Sequence, residues 1–97
     1  MPSTPAAGSL LKRYREDKGI RQRDLIDCLK ADGYPVELSL LYKYESGARK
    51  PNAVFIGHFV KCCGLTYEDA EVLLEALSIE YAYELLIQYQ SVPGVPR

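Results

Sequence analysis

The sequence has few of the residues that build metal sites, disulfide frameworks or membrane spans. It contains one histidine, His58, and three cysteines: Cys28, Cys62 and Cys63. A lone histidine excludes a zinc-finger spacing, and an odd cysteine count does not make a disulfide framework, so we expect three reduced thiols, at least two of them packed as small hydrophobic side chains, with a redox or metal role as the alternative. The apolar runs are too short for any segment to span a bilayer.

Signatures of enzymes are also missing. We find no nucleophile paired with histidine, no cluster of carboxylates, no glycine-rich phosphate loop and no metal-ligand spacing. We therefore expect a protein that is not an enzyme and needs no cofactor. Residues 1–8 lack the basic start and apolar stretch of a secretory signal, so we interpret them as a flexible lead-in and expect a cytoplasmic protein, associated with the nucleoid in a bacterial or phage setting.

The charged residues are distributed unevenly along an otherwise ordinary composition. The 97 residues are 47% hydrophobic and 26% charged, which is typical of one small globular domain. Residues 1–50 carry ten basic and seven acidic side chains, whereas residues 51–97 carry two basic and six acidic ones. The first half is thus net +3 and the second net −4, so the chain can present a local positive face although its total charge is −1.

Helical periodicity and stop signals predict an all-α fold. Ser9 is suited to cap the first helix, and glycines or Pro35 follow the ends of the first four. Thr66 and Asp69 form a capping-box pattern before the last helical stretch. We predict helices over 9–18, 22–30, 38–46 and 52–63, and helical structure over 67–90 as either one helix or two with a break near Ser78.

A longer pattern connects the second and third predicted helices to the loop that follows. Gln22 opens the second helix, and the third contains Tyr44-Glu45-Ser46-Gly47, followed by Arg49-Lys50-Pro51. Together with Leu10–Arg15 and Cys63-Gly64-Leu65-Thr66, these residues resemble the Cro/phage-repressor (XRE-type) family over about residues 10–77. The resemblance implies a lambda-repressor-like five-helix bundle with a helix-turn-helix, followed by an extended C-terminal helical segment.

The resemblance also implies roles for individual residues. The third helix would enter the major groove of DNA, and Gln22 would anchor a phosphate at a helix N-terminus. The residues expected at the DNA backbone are Arg21, Gln22, Arg23, Arg49 and Lys50. Those expected to read bases are Leu38, Ser39, Leu40, Tyr42 and Lys43. Glu45 would pair with a basic group of its own domain, Arg13 or Arg15.

Two departures from the family pattern concern base reading. The turn Asp32-Gly33-Tyr34-Pro35-Val36 is about two residues longer than usual, and the third helix offers Leu38 and Leu40 where polar side chains are common. A leucine can contact a thymine methyl but cannot hydrogen-bond a base edge. Internal packing is an equal alternative for Leu38, whereas we expect Leu40 to be exposed. For His58 we expect an exposed or half-exposed helical side chain without a functional role.

The C-terminal segment is more apolar than one domain needs. Its leucines and tyrosines indicate a homodimer, which would place two recognition helices on a palindromic operator. We assign 9–77 to the DNA-binding domain, 78–91 to dimerisation and 92–97 to a tail. The proposed dimer contacts are Leu77, Tyr81, Leu85 and Tyr89.

These patterns favour a small sequence-specific transcriptional regulator, either a repressor or an autoregulator. The alternative is a protein-interaction module that keeps the helix-turn-helix scaffold but has lost DNA binding, with Leu38 and Leu40 forming its docking surface. The acidic overall balance is the feature that favours this alternative.

Overall fold

Five α-helices form the computed structural model, which describes residues 6–91 and their side chains as far as Gln88. In chain order the helices are α1 (Ala7–Asp17), α2 (Gln22–Ala31), α3 (Leu38–Ser46), α4 (Ala53–Cys63) and α5 (Tyr67–Ser91). Residues 6–91 contain no strand, which confirms the all-α prediction, and none of their helices is long and apolar enough to cross a membrane. The predicted tail and most of the predicted lead-in lie outside the described residues.

Most helix ends coincide with the local signals in the sequence. The Asn52 side chain accepts a hydrogen bond from the Phe55 amide at 2.9 Å and caps α4. Before α5, Thr66 Oγ1 accepts from the Asp69 amide, and the Asp69 carboxylate accepts from the Thr66 amide, which is the predicted capping box. α3 ends at Gly47, whose φ of 81° lies in the left-handed region that favours glycine.

The start of α1 differs from the prediction, and the reason is tertiary. The helix begins at Ala7 rather than Ser9, and Ala7 and Gly8, assigned above to a flexible lead-in, are buried in its first turn. Glu80 on α5 accepts a hydrogen bond from the Ala7 amide at 3.0 Å, which supplies the cap that Ser9 was expected to give. A Cβ at Gly8 would lie 2.8 Å from the Glu45 carbonyl oxygen and closer still to that of Tyr44, so glycine permits α1 to approach α3.

The helices enclose one core. α1 packs on α3 and α5, α2 packs on α3 and α4, and α4 packs on α5. The largest fully buried side chains come from all five helices and from Pro51. They are Leu11, Leu25, Leu29, Leu41, Pro51, Phe55, Ile56, Phe59 and Leu73.

α5 is a single continuous helix, which decides between the two possibilities left open above. Leu73, Ala76 and Leu77 are buried in the core, and no later side chain of the described part of α5 is buried. The helix therefore continues past the edge of its own core, and residues 81–88 are all exposed.

The cysteines do not behave as predicted. Cys28 on α2 and Cys62 on α4 form a disulfide with a Cα–Cα distance of 5.9 Å, so the expectation of three reduced thiols is wrong for these two. They are separated by 34 positions, and only the side-by-side packing of α2 and α4 brings them together. Cys63 is free and buried, as expected of a small hydrophobic side chain.

Candidate nucleic-acid interface

Residues from the start of α2 and from α3 lie around one surface hollow of about 290 Å³. Its lining consists of Arg21, Gln22, Arg23, Leu38 and Tyr42, all of which the sequence predicted to contact DNA. Arg21 is also the exposed partner of Asp24, whose carboxylate accepts from the Arg21 amide and guanidinium. This pairing lowers the pKa of Asp24, mainly through the side-chain hydrogen bond.

A second hollow of the same volume lies along α3 and the turn before it. Its lining residues are Pro35, Val36, Glu37, Ser39, Leu40, Lys43 and Arg49. The Arg49 amide donates to the Lys43 carbonyl at 3.1 Å, so the basic loop after α3 folds back on the end of the helix. The two hollows together contain every predicted DNA contact except Lys50.

The two unusual leucines of α3 are neither fully exposed nor fully buried. Leu38 and Leu40 both pack partly against the core, so the expectation that Leu40 is exposed needs correction. Val36, in the long turn before α3, is buried in the core, so both this turn and the first residues of α3 pack against the core. The exposed positions of α3 are Ser39, Tyr42 (53% exposed), Lys43 and, at its C-terminal end, Ser46.

A buried ion pair underlies this surface. Arg15 on α1 donates through Nε to Glu45 Oε2 at 2.8 Å and through Nη2 to Glu45 Oε1 at 3.0 Å. Arg15 also donates through Nη1 to the Ile20 carbonyl at 2.9 Å. The two side chains are 7% and 5% exposed, and the hydrogen bond that Arg15 donates to Glu45 raises the pKa of Arg15 despite burial. Of the two partners predicted for Glu45, the structure selects Arg15.

Gln22 takes part in the same network. Its Nε2 donates to Glu45 Oε1 at 3.1 Å, and the side chain is half-buried. The resemblance implied a phosphate anchor here, whereas in the free protein the side-chain amide is bound to a carboxylate. Glu45 therefore joins α3 to the start of α2 as well as to α1.

Side chains of α4 hold the long turn between α2 and α3. The Asp32 carboxylate accepts from Lys61 Nζ and lies 2.5 Å from His58 Nδ1, and both partners lower the pKa of Asp32. The Tyr34 ring stacks on the His58 ring with centroids 4.7 Å apart, and the Tyr34 amide donates to the Leu29 carbonyl. His58 is half-buried, as expected, but it contributes to positioning the turn.

Lys50 is oriented by α5. Its Nζ lies 3.0 Å from Glu84 Oε2, and the Tyr81 hydroxyl donates to the neighbouring Pro51 carbonyl at 3.3 Å. Neither this role of Glu84 nor the capping role of Glu80 was predicted from the sequence. A signal was present, since Glu80 and Glu84 are the only charged residues between Ser78 and Gln90, and they are one helical turn apart.

The predicted dimer contacts fall into different environments. Leu77 is 5% exposed and belongs to its own core, so it is not available to a partner. Tyr81 is 43% exposed and contacts the basic loop, whereas Leu85 is 66% exposed. The Tyr89 side chain lies outside the described residues.

Comparison with protein-family models, with curated proteins and with solved structures finds no match for this chain.

The buried network predicts the effect of removing one charge. Replacing Glu45 with glutamine should lower the free energy of unfolding by about 3–5 kcal/mol, because the Arg15 guanidinium would remain buried without a carboxylate. Urea denaturation at neutral pH measures this loss. Glu16→Gln, on the exposed side of α1, is the matched control and should change stability by less than about 0.5 kcal/mol. Equal stabilities of the two variants would contradict the assignment.

Proposed function

We propose that this protein is a sequence-specific DNA-binding transcriptional regulator of the phage-repressor type, acting as a small repressor or autoregulator. In this proposal α2, the long turn and α3 form the helix-turn-helix, and α3 enters the major groove of duplex DNA. The protein needs no cofactor and performs no catalysis. Its setting is the cytoplasm, in contact with the nucleoid.

One observation carries the proposal. Two hollows beside α3 are lined by residues from the start of α2, from α3 and from the loop after it, and nine of the ten residues that the sequence assigned to DNA are among them. Of these nine, Arg23, Lys43 and Arg49 are exposed, and so are Ser39 and Tyr42, which add hydrogen-bonding groups. Exposed basic groups beside a helix suit phosphate contacts, while the helix itself presents side chains to base edges.

The half-buried leucines bear on the competing function. A protein-interaction module of the kind considered above requires Leu38 and Leu40 to form an exposed apolar surface. Because both pack partly on the core, little apolar area is left for a protein partner on this side. Their exposed edges remain able to contact thymine methyl groups, so DNA binding is the better supported reading.

We further propose that two copies associate through the outward face of α5. At 100° per residue, Ala82, Leu85 and Leu86 lie on the side of the helix opposite the buried residues of its first half, and all three are exposed. The charges of this segment, Glu80 and Glu84, bind groups of their own domain. Within residues 78–88 this face carries no charge, so this stretch can meet its own copy across a twofold axis without like-charge repulsion, whereas Glu68, Glu71 and Glu75 lie on the same face in the first half of α5.

Binding to duplex DNA across a salt series, followed by sequence selection, tests the proposed function. A DNA reader loses affinity steeply as salt rises, and a twofold dimer selects a palindrome with half-sites about one helical turn apart. Absence of binding even at low salt would overturn the proposal and favour the protein-interaction module.

Substitutions at the proposed DNA contacts should have two different kinds of effect on binding. Arg49→Ala should weaken binding to all sequences alike and reduce the slope of log K against log salt by about 0.9, because one phosphate contact is lost. Tyr42→Ala should instead change which bases are selected. The measurements are salt-dependent binding isotherms and a repeated selection. An unchanged selected sequence for Tyr42→Ala would show that α3 is docked in a different register.

Glu84 should act as a competitor of DNA phosphate for Lys50. Glu84→Gln should strengthen binding to all sequences by up to about fivefold, the range expected for an exposed ion pair, and steepen the salt slope by about 0.9. Glu75→Gln makes the same charge change on the opposite side of α5 and serves as the control. Equal effects of the two variants would mean that only the net charge matters.

The dimer proposal makes a separate prediction. Leu85→Lys should convert the dimer to a monomer in sedimentation experiments, since a desolvated lysine would meet its own copy across the axis. Truncation after Ser78 should have the same effect. Val54→Lys places a charge on a similarly exposed apolar position of α4 (58% exposed) and should leave the dimer intact. A dimer that persists in Leu85→Lys would remove α5 from the interface.

A further inference from the structure

The disulfide encloses the proposed DNA-reading segment. Cys28 lies on α2 and Cys62 on α4, so the chain between them contains the long turn, all of α3 and the basic loop. Every predicted base-reading residue, together with Arg49 and Lys50, therefore lies inside a covalently closed loop. A cross-link of this kind restricts the conformations available to the enclosed chain.

The two cysteines of the bond differ in exposure. Cys28 is exposed, whereas Cys62 is half-buried. A small thiolate can approach Cys28 Sγ, form a mixed disulfide with it and release Cys62 as a thiolate. When the attacking molecule is a dithiol, its second thiolate displaces Cys28 and closes a cyclic disulfide. The protein then gains two electrons and two protons, and the dithiol loses them.

The neighbouring Cys63 does not interfere with this exchange. Its side chain is buried, with 4% exposure, and burial raises the pKa of its thiol to about 11. At neutral pH the group is therefore protonated and is a poor nucleophile. Exchange is confined to the single pair Cys28 and Cys62.

Loss of the bond would loosen the segment without unfolding the domain. Leu25 and Leu29 keep α2 in the core, and Asp32 keeps its partners His58 and Lys61 on α4. Asp32 follows Cys28 by four residues, so the disulfide and this ionic contact act on the same face of α2. Reduction removes the covalent contact and leaves the ionic one.

We propose that Cys28–Cys62 is a redox-active disulfide whose substrates are small thiols and dithiols, and that its reduction loosens residues 29–61 and weakens DNA binding. The effect on DNA rests on the proposed function, because a preorganised recognition helix binds more tightly than a mobile one. The effect on the segment itself does not depend on that function.

The test compares the oxidised and dithiothreitol-reduced full chain at neutral pH. Thiol alkylation followed by mass spectrometry should detect two new thiols under native conditions. Amide hydrogen exchange should become faster within residues 29–61, and the melting temperature should fall by about 10 °C or more. DNA affinity should fall about fivefold or more.

Cysteine variants test whether the effect of dithiothreitol comes from the Cys28–Cys62 bond. The double variant Cys28→Ser/Cys62→Ser should match the reduced protein and no longer respond to dithiothreitol, with circular dichroism confirming its helical content. Cys63→Ala should keep the full response. Resistance of the native disulfide to dithiothreitol, or unchanged hydrogen exchange on reduction, would overturn the proposal.

The outcomes also distinguish the proposed redox-active disulfide from the proposed DNA-binding function. Faster exchange on reduction with no DNA binding in either state would support the redox site and refute DNA binding. DNA binding of equal strength in both states would refute control by the disulfide while leaving the proposed function in place.

Discussion

Glu45 accepts hydrogen bonds from two helices other than its own, Arg15 on α1 and Gln22 on α2. Its carboxylate is almost inaccessible to water, so both partners must stay in place if the charge is to remain compensated. This requirement restricts the rotation of α3 about its axis. With Leu41, Tyr44 and Glu45 facing inward, Ser39, Tyr42 and Lys43 must face outward. The surface proposed to read DNA therefore depends on a buried ion pair that need not touch DNA.

α5 contacts both the start of α1 and the basic loop after α3, which lie far apart in the sequence. Its first half completes the core with Leu73 and Leu77, while Glu80 caps α1 and Glu84 pairs with Lys50 in the basic loop. The outward face of its second half, around residues 82–86, carries no charge and is proposed to meet a second copy. Since one rigid helix carries both contacts, association of two copies and the orientation of Lys50 would be physically linked.

The long turn is ordered because α4 holds it. Asp32 and Tyr34 both contact His58, and the adjacent disulfide joins the same two helices covalently. Without these contacts a turn of this length would leave the start of α3 without support. The turn therefore depends on Asp32 and Tyr34 for its position against α4.

The sequence alone determined the all-α fold and the limits of α3, and it nearly determined those of α2 and α4. It could do so because caps such as Asn52 and stops such as Gly47 act on backbone groups within a few residues. It also predicted, as DNA contacts, most of the residues that line the two hollows around α3. The tertiary structure decided the start of α1, the partner of Lys50, the cysteine pair and the half-burial of Leu38 and Leu40. The first three of these features depend on contacts between residues 34 to 73 positions apart in the sequence. The fourth depends on how α3 packs against the core. Local sequence rules describe only neighbouring residues and therefore could not predict them.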